Sequence, residues 1–550
     1  MGTSNSHPRS RKGFQVKKRL HQKANARKQQ NRLQRKNIAR RRHRLLRQKL
    51  NAHQRIVHRR LDKTKLPDCS KPILRGCGNF HFQLNDRING SAFGGIPLLH
   101  KLAQDIGLVE AIDRQLHILK LHLPYSDSDH VFNFAMNALC NGSCLQDIEL
   151  RRNDPAFLDA LGAQRIPDPT TAGDYCRRFS ADKINFLQDI FDDTRVKLWK
   201  QQPDDFFQQA RIDADGSLVG TYGECKKGMD IAYDNSWGYH ALLISLANTR
   251  EVLRIVNRSG NRPSHEGAAE ALDRAMATCF RGGFRSVLLR SDTDFSQTTH
   301  LDRWDADPRV HFIFGYDCMS NLRALAEQLP ADSWTKLSRP PRYTVETEPR
   351  QKPDKVKQKI VVERGYEVLR LKYEDVAEFD YQPTACKKAY RMIVVRKNIS
   401  KEQGGVWLLD LYRYFFYITN DRTSTPEEIV FLANDRCHQE NLIEQLKNGP
   451  RALQAPLNSL ESNWAYMVMT ALAWNLKAWA ALRLPEVGRW KEKYRAEKSW
   501  LLGLEFKAFL HVMVTIPCQM VRQARGVVFR VLNYHPHLST FFRLAETLRC

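Results

Sequence analysis

The sequence has little that would suit a structural metal site or a disulfide framework. Its twelve cysteines are scattered singly, and the closest pair, Cys140 and Cys144, lies in an apolar stretch without further cysteine or histidine partners. This pattern argues against structural zinc and against disulfides. The basic N-terminus has no apolar segment behind it, so it does not resemble a secretory signal. We therefore expect an intracellular protein with free thiols, cytoplasmic and associated with the nucleoid of a bacterial-type cell.

Long hydrophobic runs are also missing from the sequence. The most apolar stretch, residues 462–476, is bounded by Glu461 and Lys477 and is too short to span a bilayer, which indicates a buried helix. No internal repeat is evident. The 550 residues exceed the length at which one core usually stops growing, about 250 to 300 residues, so several domains are expected.

Acidic residues are almost missing from the N-terminal region. Of the 87 Lys and Arg residues, 23 lie within residues 1–65 beside one acid, which leaves 64 bases against 59 acids in the rest. Residues 1–66 have too few apolar side chains for a core, but their composition is compatible with helix on a polyanion. We interpret them as a disordered or conditionally helical DNA-binding arm, with Arg40, Arg41 and Arg42 as phosphate contacts. A solubilising or nonspecific RNA-binding tail is the alternative, since polyphosphate is attracted to any such tract.

Hydrophobic periodicity divides the rest of the chain. Residues 67–205 have helical spacing and predict a helical N-terminal domain. Residues 206–338 predict three strands, a helix, a strand, a helix and a strand, which is the order of an RNase H-like fold. Residues 339–410 predict a β-rich insertion, residues 411–449 the second part of the core, and residues 450–550 a helical region. The expected fold class is α/β, with an RNase H-like catalytic core interrupted by a β-rich insertion and flanked by N- and C-terminal helical regions.

Two aspartates stand where strands are predicted to end. Asp292 follows the apolar run SVLLRS, and Asp215 lies in the motif I-D-A-D-G-S, where a turn at Gly216 would expose it. Asp213 lies on the same face two residues earlier and is the alternative first ligand. Each aspartate alone is more often ordinary turn chemistry. As a set, carboxylates that converge from distant positions suit two divalent ions, with Mg²⁺ preferred by oxygen ligands and Mn²⁺ able to substitute.

A third carboxylate lies on a predicted helix downstream of the insertion. Arg436, Glu440 and Lys447 fall within about 40° on a helical wheel, so one carboxylate and two cations would share a stripe. This arrangement suits a metal ligand flanked by phosphate contacts. A surface ion pair between Arg436 and Glu440, worth about 0.2 to 0.5 kcal/mol, is an equally good interpretation of the spacing.

In combination these residues resemble the insertion-sequence DDE transposases of the YREK branch. The resemblance covers roughly residues 90–550, outside the basic arm. The motifs that carry it are D-G-S at 215–217, L-R-S-D-T-D-F at 289–295, R-x3-E-x6-K at 436–447, SAFGGIPLLHKLAQDIGL, PDPTTAGDYCRRF and PLNSLESNWAYMVMTALAWNL. In that branch a tyrosine stands three residues before the arginine, and this sequence has Ala433 there instead.

The resemblance implies that Asp215, Asp292 and Glu440 bind two Mg²⁺ ions while Arg436 and Lys447 hold phosphates near the cut. Water would attack a phosphodiester at the end of the element, and the freed 3′-OH would attack other strands. The implied partners are double-stranded DNA, as terminal inverted repeats and target DNA, and a second copy of the chain in a homodimer on DNA. Two alternatives are a domesticated, catalytically reduced DNA-binding descendant and a structure-selective nuclease of the same fold.

Overall fold

The computed structural model describes residues 11–62, 89–120, 124–339, 356–523 and 526–549. By its internal contacts the chain forms two units, one of residues 1–88 and 531–543 and the other of residues 89–530 and 544–550. Parts of the predicted arm, helical domain and insertion, namely residues 1–10, 63–88 and 340–355, lie outside the described residues.

The smaller unit contains one long helix, α1 (Arg11–Leu61). Its 51 residues span about 76 Å at 1.5 Å per residue. Arg, Lys, Gln and Ala are good helix formers, but the helix has no acidic residue that could pair with its bases at i, i+4. The side chains of Arg40, Arg41 and Arg42 are exposed. The positive charge of α1 is therefore not balanced by acidic side chains of the same helix.

The larger unit begins with a short strand and a group of helices whose starts are set by capping side chains. Asp154 and Asp168 accept hydrogen bonds from the first backbone N–H groups of two of these helices, each of which has a proline in its first turn. The elements are β1 (Asn89–Ser91), α2 (Ile96–Asp105), α3 (Leu108–Gln115), α4 (Asp127–Leu139), α5 (Ile148–Arg152), α6 (Pro155–Leu161), α7 (Pro169–Cys176) and α8 (Ala181–Trp199).

A ten-stranded sheet of the described residues forms the centre of this unit. Its strands are β2 (Gln209–Gly220), β3 (Asp230–Ile231), β4 (Trp237–Leu246), β5 (Glu251–Val256), β6 (Ser286–Ser291), β7 (Val310–Tyr316), β8 (Thr335–Lys336), β9 (Glu367–Tyr381), β10 (Tyr390–Gln403) and β11 (Val406–Thr419). The strand order is β3-β4-β2-β6-β7-β11-β10-β9-β8, and β5 pairs with β4. The helices between the strands are α9 (Ala268–Gly282), α10 (Thr298–Asp305), α11 (Ser320–Glu327) and α12 (Val356–Glu363). The fold is thus mixed α/β.

Strand direction separates the sheet into two parts. β2, β6 and β7 are parallel, and β6 and β7 are buried almost throughout, as expected of strands covered on both faces. β4 pairs antiparallel with β2 on one side and with β5 on the other, and β11, β10 and β9 follow β7 as an antiparallel ribbon. The predicted boundary between residues 410 and 411 lies within β11, which runs without a break from Val406 to Thr419.

The C-terminal part, predicted to be a helical region, also contains two strands that the sequence analysis did not predict. Cys518–Gln523 and Gly526–Val531 form strands β12 and β13, which build a three-stranded sheet with β1. Both segments are short, and β13 in particular is rich in Val and Phe, residue types that favour strands. The helices of this part are α13 (Pro426–Asn434), α14 (Cys437–Asn448), α15 (Leu460–Leu482), α16 (Lys491–Gly503), α17 (Phe506–Phe509) and α18 (Leu538–Thr547).

The apolar helix α15 is buried from Ser462 to Leu482 and packs against α4, α8 and β5. Ser459 caps its start, and the indole N–H of Trp464 donates to the carbonyl of Ile255 in β5. In the part of the chain that the structure describes, no helix has the length and apolar character needed to cross a membrane.

A buried ion pair joins the two strands that lead to the predicted site. In the parallel register of β2 and β6, Asp213 lies opposite Arg290. Nε and Nη2 of Arg290 donate to the two carboxylate oxygens of Asp213 at 2.7 and 2.9 Å. Both side chains are 2% exposed or less. Burial raises the pKa of Asp213, which the adjacent guanidinium opposes. The pair therefore fixes the register of β2 against β6.

Removal of one partner of this pair should be far more costly than removal of an exposed pair. We expect Arg290→Met to lower the free energy of unfolding by about 3 to 5 kcal/mol, because Asp213 is left buried without its partner. Arg281→Met, which removes an exposed pair with Asp193, should cost less than about 1 kcal/mol. Denaturant unfolding measures both, and equal losses in the two variants would contradict the structural role of Arg290.

Candidate functional site

Asp215 lies in the middle of a strand rather than at its end. β2 continues to Gly220, so the expected turn at Gly216 is absent from this described strand and does not explain the exposure of Asp215. Asp213 and Asp215 share one face of the strand, but Asp213 is fully engaged by Arg290. Asp215 is therefore the carboxylate of this motif that can bind a ligand.

Gly216 is required by a close approach on the opposite face of β2. A Cβ atom at this position would lie 2.6 Å from Nε2 of His240, a distance that side-chain atoms do not tolerate. The ring of His240 is held there, because its Nδ1 lies 3.0 Å from the carbonyl oxygen of Arg262. Gly216 is thus needed for the close contact with His240 on one face of β2, while the side chain of Asp215 lies on the opposite face.

Asp292 follows the last residue of β6. Its Oδ1 accepts a hydrogen bond from the backbone N–H of Asp294 at 3.2 Å, which caps the short 3-10 turn Thr293–Phe295. β2 and β6 are parallel, so extending the pairing of Asp213 with Arg290 by two residues places Asp215 beside Asp292. Two carboxylates from positions 77 residues apart are brought together by strand register.

Glu440 and Lys447 lie on α14, but Arg436 does not share that helix. The predicted single helix is interrupted after Asn434, and Arg436 is the residue before α14 begins. In an unbroken helix the carbonyl of Leu432 would accept from the N–H of Arg436. Instead Nη1 of Arg290 donates to this carbonyl at 2.9 Å, and the N–H of Arg436 reaches the carbonyl of Ala433 at 3.4 Å. The predicted continuous helix is therefore wrong at Arg436, which lies in the turn before α14.

A buried glutamine anchors α14 to the sheet. The hydroxyl of Ser245 in β4 donates to Oε1 of Gln439, and Nε2 of Gln439 donates to the carbonyl of Leu243 at 3.1 Å. Gln439 is 1% exposed and precedes the exposed Glu440. These bonds fix the rotation of α14 so that the neighbouring carboxylate faces away from the β4 contact. Sequence reasoning missed Gln439, because a glutamine beside a charged residue on a helix carries no distinctive signal.

The break in the helix places Arg436 between the two aspartates. Its Nη1 lies 4.0 Å from Oδ2 of Asp215, and its Nη2 lies 3.9 Å from Oδ2 of Asp292. Burial, together with the negative charges of Asp292 and Glu440, raises the pKa of Asp215 to about 7, and Arg436 opposes this shift. Burial also raises the pKa of Asp292, with Glu440 contributing. The two aspartates therefore flank one guanidinium, and the negative charge of Glu440 acts on both of them.

Lys447 lies nearly two turns beyond Glu440 on α14, on the same side as Asp215. Burial lowers the pKa of its ammonium group, and the charge of Asp215 opposes this effect. Lys447 also lines an open cavity of about 500 Å³ with Gly220 at the end of β2. Both predicted cations of the motif thus lie on the carboxylate side of the sheet. Arg40, Arg41 and Arg42 lie on α1, in the other unit.

The donor atoms and the charge decide whether these residues suit a divalent cation. Among the described residues, no three His, Cys, Asp or Glu side chains surround a common point closely enough to hold a metal ion. Carboxylate oxygens are the hard ligands that Mg²⁺ prefers. Burial is the first cause of the raised pKa values of Asp215 and Asp292, and neighbouring carboxylates add to it. Asp215, Asp292 and Glu440 therefore fit a divalent cation in donor type.

An aromatic cavity of about 330 Å³ opens beside Asp292. Its walls include Tyr316 of β7 and Tyr414 and Tyr417 of β11, and Ala433 forms part of its lining. Three buried polar atoms of its lining residues have no hydrogen-bond partner among the described residues: Ser291 Oγ, Asn434 Nδ2 and Arg436 Nη1. The sequence did not reveal this cavity, because its walls come from strands about 100 residues apart.

The sequence matches a known protein family over most of its length. The family model described as "Transposase DDE domain group 1" matches residues 88–550. No curated protein matches the sequence. Seven chains of solved structures match, among them one in the cryo-EM structure of the piggyBac transposase synaptic complex with hairpin DNA. That match has a TM-score of 0.37 and 10% identity, and it covers 77% of this chain and 84% of the other. A similarity at this level does not establish a shared fold.

The raised pKa of Asp215 makes stability depend on pH when no divalent cation is bound. Its carboxyl has an ordinary value of 3.8 and titrates near 7 in the folded chain, so the folded state holds a proton that the unfolded state loses between these values. Protonated Asp215 stabilises the folded state fully below about pH 4, and this contribution is lost as the pH rises through about 7. We expect Asp215→Asn to gain stability over the parent chain between pH 5 and pH 8 in EDTA.

The exposed Asp332 offers a matched control, because Asp332→Asn removes a carboxyl of the same kind outside the predicted site motifs. The free energy of unfolding of this variant should differ from that of the parent by the same amount at both pH values. An Asp215→Asn difference that stays constant with pH would contradict the assigned titration.

Proposed function

Because this chain belongs to the family of transposases with a group 1 DDE domain, we propose that it is a DNA transposase that cleaves and joins strands at the ends of an insertion sequence. The observation that carries the proposal is that Asp215 and Asp292 lie on either side of Arg436, with the negative charge of Glu440 acting on both aspartates. These residues come from a strand, a strand end and a helix that lie far apart in the sequence. Their meeting is what phosphoryl transfer by carboxylate-held metals needs.

The strand order supports an RNase H-like core within this proposal. β2, β4 and β5 form an antiparallel group, and β6 and β7 then add in parallel on the other side of β2. The ribbon of β9, β10 and β11 enters after β7 and is followed by α13 and α14. We assign residues 206–338 and 411–449 to the core and residues 339–410 to its insertion. Residues 1–66, 67–205 and 450–550 are assigned to the arm, the helical domain and the C-terminal region.

Asp215, Asp292 and Glu440 are the residues that would hold Mg²⁺, for which Mn²⁺ could substitute. A bound divalent ion supplies Lewis-acid activation of the attacking oxygen and neutralises charge on the leaving oxygen. The guanidinium of Arg436, already placed between the two aspartates, would contact an oxygen of the scissile phosphate. Lys447 would contact a phosphate further along the same strand. Water attacks first, and the freed 3′-OH then attacks a target strand.

The placement in the YREK branch rests on the arginine, the glutamate and the lysine, since the tyrosine position is Ala433. Ala433 is 6% exposed and packs with Ile429 and Val430 of α13 against the sheet. A tyrosine here would project toward the aromatic cavity, whose walls already carry Tyr414 and Tyr417. We infer that these two tyrosines supply the aromatic and hydroxyl groups that the missing side chain would give. The intact carboxylate set does not favour a catalytically reduced descendant.

The proposed partners are the terminal inverted repeats of the element, target DNA and a second copy of the chain. Helix α1 suits a DNA backbone because it carries bases without a single acid over 51 residues. Such contacts add affinity without reading sequence. A homodimer on DNA is proposed because two ends of the element must be held together for joining.

Loss of either Asp292 or Glu440 should remove strand cleavage. We expect Asp292→Asn and Glu440→Gln each to slow cleavage of end DNA in Mg²⁺ by about a thousandfold or more, because several kcal/mol of charge stabilisation is lost and about 1.4 kcal/mol is tenfold. Gel analysis of labelled end DNA measures this.

Glu444→Gln is the matched control for Glu440→Gln. Glu444 lies one turn later on α14 and lines a different cavity with Arg250 and Trp474. Its substitution should leave the rate within about threefold, since a solvated side chain away from the site contributes little. Cleavage that survives in Glu440→Gln, or is lost equally in both variants, would overturn the site.

Removal of residues 1–62 should weaken DNA binding in a salt-dependent manner. The logarithm of affinity should fall less steeply with the logarithm of salt concentration, by roughly 0.9 for each phosphate that the arm no longer neutralises. Replacing Arg40, Arg41 and Arg42 with glutamine should give a smaller change of the same kind while α1 keeps its helix formers. Fluorescence anisotropy at low and at near-physiological salt measures both. An unchanged slope would exclude α1 from the DNA contact.

A further inference from the structure

The ribbon of β9, β10 and β11 has two free edges that differ in character. β11 pairs with β10 along its whole length, but it pairs with β7 only from Phe416 to Thr419. Among the described strands, none pairs with residues 406–415 on this side. β9 likewise pairs with β10 along its length and with β8 only at Asp375 and Val376. The ribbon therefore extends from the sheet with open backbone hydrogen-bonding groups on both sides.

The edge of β9 carries the charges by which sheet proteins protect such edges. The outer half of β9 carries three charged residues, Glu367, Arg370 and Lys372. The exposed Leu369 and Leu371 flank Arg370. Charged side chains, lysine above all, oppose the addition of another strand. The charged side chains of β9 therefore disfavour pairing of this edge with another strand.

The edge of β11 lacks that protection. Between residues 406 and 413 the chain has one acid and one base, and Lys372 of the same ribbon already neutralises the acid, Asp410. The other six side chains are large and apolar and are 42% to 66% exposed: Val406, Trp407, Leu408, Leu409, Leu411 and Tyr412. A long, apolar and nearly uncharged edge is a template for strand addition. Such a surface is stable in water only when something covers it.

We propose that residues 406–413 form the interface with a second copy of this chain, edge to edge and antiparallel across a twofold axis. An antiparallel strand pair is self-complementary about such an axis, which suits the isologous contact of a homodimer. Antiparallel pairing of the two edges would add backbone hydrogen bonds along residues 406–413 and would set apolar side chains of the two copies side by side on each face of the joined ribbons.

The chemistry of this edge disfavours the other occupants. A DNA backbone needs several cations, and this stretch offers only Arg413. The segment 340–355 of the same chain contains four prolines and is rich in charge, so it is a poor strand partner. The biological role of this dimer rests on the proposed function, because joining requires two ends of the element to be held together.

The test uses the full chain without DNA, so its outcome is independent of cleavage. Mass photometry and sedimentation over a range of concentrations should show a dimer in equilibrium with monomer. The double variant Leu409→Lys and Leu411→Lys should raise the dimer dissociation constant at least about tenfold, because it places like charges across the axis. The matched double variant Leu369→Lys and Leu371→Lys, on the protected edge of the same ribbon, should leave it within about twofold.

A structural defect would be detected by the melting temperature at concentrations where the parent chain is monomeric, which should be unchanged in both double variants. Backbone hydrogen exchange supplies an independent readout, because amides of residues 406–413 should exchange more slowly as the concentration of the chain rises. A monomer at all concentrations, a dimer that tolerates both lysines in β11, or protection that does not depend on concentration would each overturn the proposal. Lost cleavage in Glu440→Gln with an intact dimer would support the catalytic site and this interface separately.

Discussion

The buried pair of Asp213 and Arg290 is the interaction on which the site depends. It holds β2 in register with β6, so that Asp215 and Asp292 emerge side by side. It also removes Asp213 from any ligand role. Nη1 of the same guanidinium donates to the carbonyl of Leu432, close to the point where the helix that leads to Glu440 is interrupted. One arginine thus sets the strand register, the available carboxylate and the break that brings Arg436 between the two aspartates.

The arrangement that results is electrostatically unfavourable until a cation or a phosphate contact completes it. Two carboxyls lie near each other with a third charge close by, and one guanidinium at about 4 Å from each aspartate compensates them only in part. The surrounding hydrogen bonds that hold this arrangement in place include those from Gln439 to β4 and from Arg290 to α13. Function and stability are therefore opposed at this point of the fold, as expected where charge is held in readiness for ligands.

Local patterns in the sequence predict the order of strands and helices, the place of Asp292 after β6 and the place of Glu440 on a helix. They do not predict contacts between distant residues. The sequence favours Asp215 over Asp213 because of a turn, whereas the reason in the structure is an arginine 77 positions from Asp213. The interruption before Arg436 depends on the same arginine, 142 positions from Leu432, so helical spacing alone missed it. The strands β12 and β13 were missed because they form a sheet with β1, which lies at the other end of the unit in sequence, and local patterns do not predict such pairing.

The central claim is that Asp215, Asp292 and Glu440 act together on divalent ions. Its most direct test is anomalous X-ray scattering from crystals of the full chain grown with Mn²⁺ and end DNA. The account predicts Mn²⁺ peaks within bonding distance of carboxylate oxygens from all three residues, with Arg436 on an adjacent phosphate. Mn²⁺ bound elsewhere, with Arg436 still between two unliganded aspartates, would contradict it.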